Sequence, residues 1–248
     1  MKKILAVFAH PDDETFGPGG TLARYASEGV EIHILCATKG QAGELNGKFQ
    51  FSNFKLKKES IVGQIREKEL RKAAKILGVA KVEFLDFVDG RLCNAVYHEL
   101  AAKIMTKIKK FKPDVIITLD RLGVSGHIDH MTVAMVTTYA HLKTKVAKKL
   151  YYLVMPANLR EKRRGDYFIY FPEGYRRSNI TTRIKYEKLW GKKKQAMLAH
   201  QSQKKDVDGI LERFEKQGWP KLDYFILFSH KIRPKRLSEN DIFEGITH

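Results

Sequence analysis

Two short stretches concentrate side chains able to handle protons and metal ions. The first, AHPDDE (Ala9–Glu14), sets His10 and Pro11 before three consecutive acids, Asp12, Asp13 and Glu14. The second, GHIDH (Gly126–His130), brings His127, Asp129 and His130 close together, so three of the nine histidines fall in these two stretches. Adjacent carboxylates repel unless they are solvated or offset by positive charge. A catalytic zinc takes three ligands from His and Asp/Glu and leaves one position open. A cation shared by the two stretches would relieve that repulsion. One carboxylate could then ligate while its neighbour serves as general base. Of the two histidines, three apart at a helix start, one could bind metal while the other, protonated, faces a developing oxyanion. The bland alternative places the three acids in a first helical turn, where the macrodipole favours them, and makes His127 an ordinary residue near a cap. It explains either stretch singly, but not why both stand at strand-to-helix turns.

The elements that would position these groups follow a regular rhythm. KKILAVFA (Lys2–Ala9), VEIHILCAT (Val30–Thr38), VEFLDF (Val82–Phe87), DVIITLD (Asp114–Asp120) and KLYYLVM (Lys149–Met155) read as strands rich in Val, Ile and Leu. Between them, GGTLARYASEG, KESIVGQIREKELRKAAKILG, AVYHELAAKIMTKIKKF and the segment after GHIDH read as helices, and KGQAGELNGKFQFSN as a polar loop. This alternation predicts an α/β, Rossmann-like fold: a mostly parallel sheet with helices on both faces. From Pro156 the rhythm fails; loop and short strands are expected first, then a helix over Ile184–Gln203. With no linker-like break, the expectation is a single domain over 1–248, its part from about 156 onward a less regular extension. Ligands of such sheets gather at the carboxyl ends of the strands. His10 follows the first strand and Asp120 ends the fourth, so the two clusters are expected to converge if those strands are neighbours.

At these residues the chain resembles the PIG-L/LmbE family of zinc-dependent N-deacetylases, which carry HPDDE after the first strand and H-x-D-H downstream. GGTLARYASEGVEIHILCATKGQAGE, REKELRKAAKILGV and KKKQAMLAHQSQ extend the resemblance from Met1 to about Gln203. It implies that His10, Asp13 and His130 ligate Zn²⁺, or another divalent ion, and that Asp12 is the general base. It further implies that His127 stabilises the oxyanion, that Asp129 orients a histidine, and that Arg66 and Asp89 contact sugar hydroxyls. From their own spacing, Arg66 reads equally as a surface residue and Asp89 as a turn former before Gly90. Ser125 stands where some relatives carry Tyr, and its hydroxyl is too short to take over the same contact. His200 matches a recurrent position for which a structural hydrogen bond is expected. The implied reaction is hydrolysis of an N-acetyl group from an amino sugar, an N-acetylglucosamine conjugate.

Bulk properties bound the alternatives. Two cysteines among 248 residues exclude a disulfide framework and a cysteine-rich zinc module, and both Cys36 and Cys93 are expected to be buried, inert thiols. The apolar run after the initial lysines is too short for a secretory leader, and no apolar span is long enough to cross a membrane, so a cytoplasmic protein is expected. The formal charge of +18 suggests the competing function, a basic nucleic-acid-binding protein with a vestigial metal site. The lysines are widely spread and no nucleic-acid motif accompanies them, so a small-molecule amino sugar is the expected partner. No specific nucleic acid is expected, and a homo-oligomer is compatible with the sequence. GPGG invites a dinucleotide-binding reading, but Leu22 occupies the third glycine position of G-x-G-x-x-G.

Overall fold

The computed structural model describes residues 1–43, 55–94, 96–160, 170–231 and 239–247. The later part of the polar loop before the second long helix, and the basic stretch following Arg160, lie outside the described residues. In β1 (Lys3–Phe8), Ile4, Ala6 and Phe8 face one layer and Leu5 and Val7 the other. Both sets are buried, which is why the strand reads as an unbroken apolar run. α1 (Asp13–Phe16) is a single turn, and α2 (Gly19–Ser27) leads to β2 (Glu31–Thr38). Then follow α3 (Lys55–Leu77), β3 (Lys81–Phe87), α4 (Tyr97–Phe111), β4 (Val115–Leu119), the short turn α5 (Gly123–Gly126), α6 (Ile128–Thr144) and β5 (Lys149–Leu153). β6 (Thr182–Lys185), α7 (Trp190–Leu198), α8 (Lys204–Glu215) and β7 (Leu222–His230) complete the order.

The sheet has seven strands in the order β3-β2-β1-β4-β5-β7-β6. The first five are parallel; β7 pairs antiparallel with both β5 and β6. Leu22 and Ala73 from α2 and α3 cover one face, and Ile104 and Val133 from α4 and α6 cover the other. The α/β, Rossmann-like expectation holds. β1 and β4 are neighbours, so the chain turns opposite ways from adjacent strand ends and opens a crevice between them.

Two expectations are corrected. The segment from Ile184 is not helical from its start: Thr182, Ile184 and Tyr186 are buried in alternation, a period of two, and their strand pairs with β7 before α7 begins. Cys93 is exposed, whereas Cys36 is buried with burial pushing its thiol pKa up. Cys93 lies in the turn between β3 and α4, where its neighbour Leu92 takes the buried place instead.

His141 of α6 packs against β7, its Nε2 3.2 Å from Ser229 Oγ, and burial with nearby Lys231 lowers its pKa to about 4. Above the ordinary histidine value the ring is neutral in both folded and unfolded chains. As pH falls from about 6.5 towards 4, the unfolded chain takes up a proton the native state resists, so stability falls. The denaturation midpoint of His141→Gln should therefore lose less between pH 7 and pH 4 than that of the parent.

Candidate metal centre and active site

His10 leaves the carboxyl end of β1, and the next turn folds its acids back under it. Asp13 Oδ2 accepts the backbone N–H groups of Ala9 (3.1 Å) and His10 (3.0 Å), fixing the carboxylate beside the strand end. From β4, Asp120 Oδ1 accepts the Val124 N–H at 2.6 Å and shapes the loop that delivers the second cluster. That loop is strained: Val124 has φ 58°, a region costly for a β-branched residue. Gly123, with φ +66°, lies so close to His130 that a Cβ would come within 2.8 Å of His130 Cβ.

The two clusters meet. His130 Nδ1 donates to Gly123 O at 3.0 Å, which turns Nε2 towards His10 and Asp13. His10 Nε2 donates to Asp89 Oδ1 at 2.8 Å and lies 3.4 Å from Asp129 Oδ2. Its other nitrogen, Nδ1, is 3.0 Å from His130 Nε2, and Asp13 Oδ1 is 3.2 Å from that same Nε2. With their outer nitrogens donating, the two neutral rings would point lone pairs at each other, and a carboxylate oxygen adds to the repulsion. Only a proton or a cation makes that arrangement favourable. Burial works against a charge on His10, but Asp129, Asp89 and Asp13 outweigh it and lift its pKa to about 10. Burial and the His10 charge, by contrast, take His130 down to about 4.

The donor set fits a divalent metal. A tetrahedral zinc with ligands at 2.0–2.1 Å has donor-to-donor edges of about 3.3 Å, close to the two observed separations. The outer partners, carboxylates on His10 and a carbonyl on His130, are those that orient metal-bound imidazoles. His127 also lies within reach, since the donor nitrogens of His10, His127 and His130 fall within 4.8 Å of one another. Its Nδ1, however, accepts the Asp129 N–H at 3.1 Å as the cap of α6. The proton therefore sits on Nε2, and burial followed by the His10 charge lowers the ring's pKa. His127 stands here as a neutral donor rather than the protonated one expected.

Asp12 sits beside this centre in a strained conformation, φ 105°. Several contacts hold it there: Arg66 Nη2 donates to Asp12 Oδ2 (2.8 Å) and to Pro11 O (2.7 Å), while Arg66 Nη1 donates to Gly40 O (2.9 Å). Burial, then the charges of Asp13 and Glu14, push the Asp12 pKa up to about 7 against the pull of Arg66. Arg66 and Asp89 both line the cavity, yet each is engaged with the centre itself: Arg66 with Asp12, and Asp89 with His10 and the Ala42 N–H. Asp129 accepts from Gly90 (2.7 Å) and Leu92 (3.2 Å), tying the Asp89 turn to α6.

One partnership has no local signal in the sequence. Glu14 Oε2 accepts the Asp12 N–H at 3.0 Å, and its Oε1 meets His200 Nε2 at 2.6 Å, with Glu14 and His200 both fully buried. Burial disfavours charge on His200, but the Glu14 carboxylate prevails and keeps its pKa above the ordinary value. Replacing His200 with Leu, of similar bulk, should destabilise the fold by about 3–5 kcal/mol, because Glu14 is left buried without its partner. Denaturant unfolding would measure this, and His200→Gln, whose amide reaches about as far as Nε2, should recover most of the loss.

The family model PIG-L, described as GlcNAc-PI de-N-acetylase, matches residues 5–141. The chain is 31% identical to the 1D-myo-inositol 2-acetamido-2-deoxy-alpha-D-glucopyranoside deacetylase of Rhodococcus jostii, across 82% of each chain. It is 28% identical to the mycothiol S-conjugate amidase of Streptomyces coelicolor, across 98% of this chain and 97% of that one. Among solved structures, N,N'-diacetylchitobiose deacetylase from Pyrococcus horikoshii aligns with a TM-score of 0.68 and 21% identity, covering 92% of this chain and 84% of its own. The hydratase GalB from Pseudomonas putida aligns with 0.69 and 18%, covering 95% and 100%. At such identities the likeness establishes the fold, and a hydratase on that fold shows why chemistry must be argued from the site.

Proposed function

The chain belongs to the PIG-L family, and from that premise we propose that it hydrolyses the N-acetyl group of an amino sugar, an N-acetylglucosamine conjugate, with a zinc ion held by His10, Asp13 and His130. The observation that carries this reading is the convergence of two imidazole nitrogens and a carboxylate oxygen at 3.0 and 3.2 Å, with every outer ligand atom already oriented. The names of the relatives, a deacetylase of an acetamido sugar and an amidase, support the bond to be broken.

When bound, the metal supplies a Lewis acid for the amide carbonyl and makes water more acidic. Asp12 takes the proton of the attacking water; Arg66 holds one of its oxygens and leaves the other for that task. As the carbon–nitrogen bond breaks to give acetate and a free amine, the proton taken by Asp12 is the one the amine needs. His127 presents its Nε2–H to the carbonyl oxygen as charge develops there, the role of a preorganised donor. Asp129 and Asp89 keep His10 in the tautomer that turns Nδ1 inward. Both Arg66 and Asp89 line the cavity, so contact with sugar hydroxyls remains part of the proposal.

The competing nucleic-acid function requires a vestigial centre. A complete, oriented donor set speaks against that, whatever the net charge of +18. No helix among the described residues is long and apolar enough to cross a membrane. The test is acetate release from N-acetylglucosamine and its conjugates by metal-loaded protein. Release establishes the reading; no release from any member of the panel rejects it.

A further inference from the structure

We infer that Arg160, which lies outside both motifs, is a positioning residue of the metal centre: it holds the strained Val124 in place, and through that loop keeps His130 aimed at the ion. This deepens the deacetylase reading and rests on it. Val124 has φ 58° and ψ −53°, near a γ-turn geometry that is rare and strained, and its branched Cβ adds to the cost. Such a conformation persists only where the surroundings fix it.

Both ends of Val124 are gripped. Asp120 Oδ1 accepts its N–H at 2.6 Å, and Arg160 Nη2 donates to its carbonyl at 2.5 Å. Arg160 is itself fixed, for its Nε donates to Pro172 O at 2.7 Å and its guanidinium lies 3.9 Å from the centre of the Phe171 ring. A planar fork can serve two carbonyls at once, which an ammonium cannot do from one rigid position. Asp120 in turn accepts the Tyr175 hydroxyl, and Tyr175 is tied by backbone bonds to Met155 O (2.9 Å) and the Ala157 N–H (2.8 Å). The chain beyond β5 therefore supplies the clamp on the carbonyl and the support for the clamp on the amide.

The grip matters to the metal because of what adjoins Val124. The peptide on its N-terminal side carries Gly123 O, the acceptor of His130 Nδ1 at 3.0 Å. Any change in the Val124 φ rotates that peptide and swings the carbonyl off the ring. On its other side Ser125 and Gly126 lead into His127, whose Nδ1 caps α6. The loop has little slack: a Cβ at Gly123 would come within 2.8 Å of His130 Cβ, and one at Gly126 within 1.9 Å of Tyr170 O. Val124 and Arg160 line the same cavity as His10, Asp13 and His130. Without Arg160, Val124 relaxes towards an ordinary conformation, Gly123 O leaves His130, and Nε2 is no longer held towards His10 and Asp13.

The experiment is a double-mutant cycle read by zinc affinity, measured in competition with a chromophoric chelator, beside kcat and KM for acetate release. Arg160→Leu should bind zinc about tenfold more weakly and lose about as much in kcat, within the 10–100-fold usual for outer partners of a metal ligand. KM should stay within about twofold of the parent. Glycine adopts a positive φ readily, so Val124→Gly relieves the strain that Arg160 resists. On that background Arg160→Leu should cost about twofold or less in zinc affinity. Arg160→Lys keeps a cation over Phe171 but cannot hold both carbonyls; it should show most of the loss, and it takes the place of Arg160→Leu if that variant does not fold. Equal losses on both backgrounds, full rescue by lysine, or a lower melting temperature with unchanged zinc affinity would make Arg160 a purely structural tie and overturn the inference. A raised KM with kcat and zinc affinity unchanged would make it a substrate contact and overturn it too. A parent that binds zinc but releases no acetate rejects the deacetylase reading and leaves the zinc titrations to judge Arg160; a parent that binds no zinc rejects both.

Discussion

Asp12→Asn should lower kcat by about 10²–10⁴-fold, the usual share of a positioned general base, while the protein keeps its metal. Asparagine has the same shape, tolerates the left-handed backbone that Asp12 adopts at φ 105°, and can still accept from Arg66. What it cannot do is take a proton. Because the lost interaction belongs to the transition state, kcat and kcat/KM should fall together and KM should change little. Metal analysis alongside steady-state kinetics separates the outcomes. A metal-replete Asn variant turning over at the parent rate would remove Asp12 from the mechanism; a metal-free variant would instead make it part of the ligand shell. The pKa of about 7 at Asp12 arises chiefly from burial, so Asp12→Glu should not substitute for it: the longer chain moves the carboxyl off the position fixed by Arg66.

Removing the metal has the second large effect. Chelation should abolish acetate release, and zinc should restore it. The same titration should raise thermal stability, because the donors gathered at 3.0 and 3.2 Å in the native state bind an ion that the unfolded chain, with those donors apart, does not. A ligand bound only by the native state, at free concentration about 1,000 times its dissociation constant, adds about 4 kcal/mol. Zinc should also displace protons, since the proton shared by His10 and His130 in the metal-free protein must leave. Calorimetry in buffers of different ionisation enthalpy would count them. A chelated protein with unchanged melting temperature and full turnover would show that the cluster holds no functional metal. In His130→Ala, the zinc-dependent rise in stability should largely vanish, because His130 Nε2 is the atom to which both close approaches are made.

Much of this protein is written locally. The central parallel strands β1, β4 and β5 are legible because each is buried on both faces, so Ile4 through Phe8 are all apolar and no amphipathic pattern confuses the reading. The acids and histidines of AHPDDE and GHIDH are legible because their types and their places at strand-to-helix turns are properties of contiguous residues. β6 is harder to read: only four residues long, its alternation runs straight into the helical lysines of α7, and its partner β7 lies about forty residues further along.

Tertiary structure alone decided how the chemical groups are shared out. Arg66 and Asp89 are ordinary side chains in sequence; folding turns one onto Asp12 and the other onto His10. His200 reaches Glu14 across 186 residues. The physical reason is the range of the forces involved. Hydrophobic periodicity and turn chemistry act over a few residues and so leave a mark in the order of the chain. Hydrogen bonds and ion pairs act over about 3 Å of space, and the residues that meet at that distance are chosen by strand order and helix packing.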